Sequence, residues 1–112
     1  MVDETHLVPD LGSLLSTALT DSIVSRTVYA GEHVKVTLFA FAAGQELSEH
    51  TASQPAVLHV LKGQGRIRLG SQSSAAGPGT WAYMPAHLPH SVHAETELTL
   101  LLLLLKGAEP EP

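Results

Sequence analysis

Two hydrophobic periods divide the chain. Leu11, Leu14, Leu15, Ala18 and Leu19 recur at helical spacing, so residues 11–19 are expected to form a short amphipathic helix near the N-terminus. From Ile23 onward the period is two. Residues 23–29 and 34–41 read as strands, the second rich in β-branched and aromatic side chains, with Ala42, Ala43 and Gly44 ending it. Further strands are expected over 57–61, 66–69, 80–84, 90–93 and 98–105, punctuated by Gly63, Gly65, Pro78, Gly79, Pro85 and Pro89. Residues 45–48 lead into Glu49 and His50, and the polar run 71–74 reads as a hairpin tip.

Many short strands with frequent turn signals indicate an all-β sandwich or barrel rather than an alternating α/β sheet. The expected layout is an N-terminal segment with a short helix (1–22), one β-barrel (23–107) and a disordered tail (108–112). In the last strand, 98–105, apolar residues follow one another without alternation. Both of its faces should therefore be covered, which leads us to expect a homodimer, unless the 11–19 helix covers the outer face within one chain.

Composition narrows the partners. Only 6 of the 112 residues are Lys or Arg and the formal net charge is −5, so no basic face for nucleic acid is expected. There are no cysteines, which removes disulfides and thiolate metal sites and is compatible with a reducing, cytoplasmic setting. The first ten residues lack a signal-peptide layout, and the apolar run at 98–105 falls far short of the roughly 20 residues a membrane helix requires, so no membrane association is expected.

Chemistry concentrates in two stretches, GQELSEHTASQPAVLHVLKG at 44–63 and GTWAYMPAHLPH at 79–90. Each carries a histidine beside an apolar run, His50 in the first and His90 in the second. His59 is a third candidate, but regular alternation would turn it away from a pocket unless a β-bulge rotates it inward. Trp81 and Tyr83 are expected to line a small-molecule site, while Phe39 and Phe41 read as core. No nucleophile elbow or dinucleotide fingerprint is present.

The spacing of Gly44, His50 and Gly63, and then of Gly79, Pro85 and His90, resembles the two motifs of the cupin superfamily, over about residues 27–106. The resemblance implies a double-stranded β-helix, that is, a jelly-roll barrel, with both histidines in its mouth. It also implies a divalent metal (Zn, Mn, Fe or Ni) and chemistry on a small organic molecule, without naming a reaction. The chain departs from the motifs at Ala52 and Ala56, where the family's second histidine and its glutamate belong, and at His87, where its Pro-x-Gly glycine belongs. Direct matching carries over only His50 and His90, and His59 would have to complete the metal set. A metal-free barrel that binds a small molecule through the same histidines is the alternative.

Overall fold

The computed structural model describes residues 5–15 and 21–107. Among these residues nine strands form two sheets: β1 (Ile23–Ala30), β2 (Val34–Phe41), β3 (Glu46–His50), β4 (Ala56–Lys62), β5 (Gly65–Leu69), β6 (Gln72–Ala76), β7 (Trp81–Met84), β8 (His90–Ala94) and β9 (Leu98–Leu105). The five-stranded sheet runs β1-β2-β9-β4-β7 and the four-stranded sheet β3-β8-β5-β6, with all neighbours antiparallel. The two sheets enclose one core. Phe41, Leu58, Val60 and Leu100 reach it from the first sheet, and Ile67, Val92 and Ala94 from the second. The result is the expected jelly-roll barrel.

The chain passes from one sheet to the other at glycine corners. Gly44, between β2 and β3, has φ +84°, and its N–H donates to the Ala94 carbonyl at 2.8 Å, tying the corner to the end of β8. Gly63, after β4, has φ +92°, and a Cβ there would run into the Glu97 carbonyl. Both positions demand the left-handed backbone that glycine adopts without a steric penalty.

Strands β3 and β6 went unrecognised in the sequence, the first read as a lead-in and the second as a hairpin tip. Both are edges of the four-stranded sheet, and their side chains are almost all exposed. An edge strand with little to bury carries no hydrophobic alternation, so main-chain pairing alone defines it. The helix expected over 11–19 is a single 3-10 turn, Leu11–Leu14, capped by Asp10, whose carboxylate accepts from the Gly12 N–H at 3.0 Å. Leu15 is already extended, and Gly12 and Ser13 are weak helix formers. Residues 16–19 and the 108–112 tail lie outside the described residues. Among those described, no helix is long and apolar enough to cross a membrane.

Strand β9 is the central strand of the five-stranded sheet. Leu98 and Leu100 point into the core, whereas Leu101, Leu103 and Leu105 stand half-buried on the outer face. The N-terminal segment lies over the β1–β2 part of that face, where His6, Val8 and Leu11 share a cavity with Val28, Tyr29 and Val36. Leu38 and Ala40, also outward on β2, are buried.

Candidate functional site at the barrel mouth

His50 and His90 are brought face to face by the pairing of β3 with β8, in which they are register partners. Alternation on β8 is regular: His90, Val92 and Ala94 point inward and are buried, while Ser91 and His93 point out. On β3 it is not regular. Leu47 pairs with Val92 and His50 with His90, so three steps along β3 match two along β8. This one-residue bulge lets Leu47 and His50 face inward together despite the odd step between them.

The two imidazole centroids are 4.1 Å apart, with the rings edge-on at 60°. Each ring is held in the same way. His50 Nδ1 lies 2.8 Å from the Ser48 carbonyl oxygen, and His90 Nδ1 lies 2.9 Å from that of Leu88. His90 is 7% exposed, while His50, on the edge strand, is open to solvent. Leu69 is the cross-strand neighbour of His90 on its other side, and with Leu47 and Leu88 it forms an apolar surround.

The remaining sequence candidates lie elsewhere. His59 stands opposite Trp81 on one side and Leu101 on the other. Cross-strand neighbours share a face, and within β4 it is Ala56, Leu58 and Val60 that are buried, so His59 points outward. The irregularity in β4 falls between Val60 and Lys62, beyond His59, and does not turn it in. Trp81 and Tyr83, expected at the mouth, share this outer face and are 60% and 50% exposed. Trp81 does border a cavity of about 170 Å³ with Ile67, Leu69 and Gln72, but neither His50 nor His90 lines it. The structure therefore joins two of the five candidates and separates the other three from them.

His87 occupies the left-handed region at φ +69°, and its N–H donates to the Ala52 carbonyl at 2.8 Å. That bond ties the loop after β7 to the loop after β3, on either side of the histidine pair. His93 faces out and lies 3.5 Å from Glu46, whose carboxylate belongs to the outer surface rather than to the mouth.

These residues do not fit a resident metal. Among the described residues no three His, Asp or Glu side chains come together to hold an ion. Zinc and iron sites normally take three or more protein ligands, and Ala52 and Ala56 have no donor atoms to offer. Among the described residues, the two imidazoles are the side-chain donors that come together there.

A β-sandwich closed into a jelly roll, with paired histidines at its mouth, defines a class of small barrel proteins. The Cupin domain profile matches residues 37–105, and the chain belongs to that family. It is similar to a cupin superfamily protein from Desulfitobacterium hafniense, at 24% identity and a TM-score of 0.80, over 94% of both chains. It is similar also to a conserved protein of unknown function from Streptococcus pyogenes, at 27% identity and a TM-score of 0.80, over 98% of this chain and 93% of that one. A cupin 2 conserved barrel domain protein from Leptotrichia buccalis is 32% identical, with a TM-score of 0.77, over 86% of this chain and 46% of that one. No curated protein matches the chain by sequence.

Proposed function

We propose that this cupin barrel binds a small organic molecule at its mouth, gripped by His50 and His90, without a resident metal. The observation that carries this reading is the pair itself. Two imidazoles 4.1 Å apart are each anchored through Nδ1 to a backbone carbonyl, so each leaves its other ring nitrogen to a ligand. Fixed orientation of this kind lowers the ordering cost of binding. The apolar surround of Leu47, Leu69 and Leu88 suits the hydrophobic body of such a molecule.

Backbone anchoring of Nδ1 is also how metal-bound histidines are commonly oriented, so metal binding must be tested directly. Calorimetric titration of chelator-treated, untagged protein with zinc, manganese, iron(II) and nickel separates the two readings. With two nitrogens alone, dissociation constants weaker than about 1 μM are expected for zinc, manganese and iron(II), and alanine at His50 or His90 should weaken whatever binding remains. A nanomolar constant that both alanine variants abolish would overturn the metal-free reading.

A further inference from the structure

We infer that the His50–His90 pair selects neutral ligands carrying two neighbouring N–H or O–H donors on an apolar body, and discriminates against carboxylates and phosphates. The inference rests on the small-molecule reading above and adds the polarity of the ligand. It follows from which nitrogen carries the proton.

A carbonyl oxygen only accepts hydrogen bonds, so the contacts to Ser48 and Leu88 require a proton on Nδ1 of both rings. Neutral imidazole has a single N–H, and with Nδ1 protonated, Nε2 is left as a bare lone pair. The backbone thus fixes the same tautomer twice, on rings whose centroids are 4.1 Å apart, so two acceptors belong to one site. Neither Nε2 has a partner among the described residues. No buried side-chain nitrogen or oxygen is unsatisfied there either, so the Nε2 of His90 reaches accessible space although the ring is only 7% exposed.

Among the described residues, the neighbours of the pair on the inner face are apolar: Leu47, Leu69, Leu88 and Val92. On the strands that carry or flank the pair, Glu46, Glu49, Arg66 and Arg68 line a depression on the opposite face of the sheet. While both rings are neutral, above the ordinary histidine range, an anionic ligand would set its lone pairs against two others with no cation to offset them. A ligand with paired donors satisfies both acceptors and lays its apolar part against the leucines.

Phenylurea and benzoate separate the cases, since both carry a phenyl ring, one with two adjacent N–H donors and the other with a carboxylate. The full chain, chelator-treated and labelled with nitrogen-15, is examined by NMR at about pH 8, above the ordinary histidine range. The ring resonances are assigned with single His→Gln variants. The expected spectrum has Nδ1–H tautomers at His50 and His90, and phenylurea should perturb both Nε2 signals at concentrations at least about tenfold below those benzoate needs, the scale of one unmade hydrogen bond. His50→Ala, at an exposed edge position, should remove the phenylurea effect without unfolding the protein. An Nε2–H tautomer at either ring would overturn the inference. Benzoate binding as well as phenylurea would overturn the donor rule while leaving the small-molecule reading in place. If neither compound perturbs the rings, both readings fall.

Discussion

At the scale of single residues, two backbone positions with positive φ pull in opposite directions. His87 holds a left-handed conformation that costs a non-glycine residue about 1–2 kcal/mol. Its side chain is exposed and its one recorded bond is made by the backbone, so glycine can replace it without losing that bond. His87→Gly is expected to stabilise the barrel by up to about 1 kcal/mol, the larger strain relief being partly offset by glycine's greater freedom when unfolded. A melting temperature raised by a few degrees would register the gain, and a lowered one would mean that the His87 side chain contributes more than its exposure suggests. Gly63 is the converse case. Its positive φ and the nearby Glu97 carbonyl leave no room for a methyl group, so Gly63→Ala should cost more than about 2 kcal/mol, measured by denaturant unfolding.

Among the elements, β9 carries the clearest contrast because its two faces meet different surroundings. Leu100 is 2% exposed within the core, whereas Leu103 is half-buried on the outer face. Leu100→Ala should destabilise by about 2–5 kcal/mol through lost burial and the cavity left behind. Leu103→Ala should cost well under half as much in dilute protein; equal losses in urea unfolding would mean that the outer face is as tightly covered as the core. The edge strand β3 illustrates a different dependence. Its bulge, not its composition, aims His50 at His90, so the site relies on a main-chain irregularity that no side chain in ELSEH announces.

For the whole molecule, the surface that bears on assembly is the outer face of the five-stranded sheet. Val57, Leu101 and Leu103 form one apolar field with His59, Trp81 and Tyr83, aligned by the register of β9, β4 and β7. Among the described residues, the N-terminal segment covers the β1–β2 side of this sheet instead. We propose that a second copy of the chain covers the β9–β4–β7 side, since an exposed patch of this kind on a small barrel marks an association surface. Light scattering at micromolar concentration should give a dimer, and Leu103→Glu, which sets a charge in the middle of the field, should give a folded monomer. A wild-type monomer would refute the assembly and leave Trp81 and Tyr83 simply exposed.

Local pattern was enough to establish the class of fold. Alternation in residues 34–41, the apolar run at 98–105, broken only by Thr99, and glycines at the corners are properties of short segments, and the barrel is their consistent solution. The choice of His50 and His90 as candidates leaned on the resemblance to the two cupin motifs, which place a histidine at a set distance from the glycine that starts each stretch. What local pattern could not reach were features made by main-chain pairing between strands. The bulge in β3 exists only against β8, and β6 is a strand only because β5 pairs with it. The outward placement of His59, Trp81 and Tyr83 became definite once their register was set, although parity had already weighed against His59. The proton positions on the two imidazoles lay furthest from the sequence. They are set by the carbonyls of Ser48 and Leu88, and every residue has a carbonyl. Backbone groups carry no letter of their own, so their chemistry appears only when the chain has folded around it.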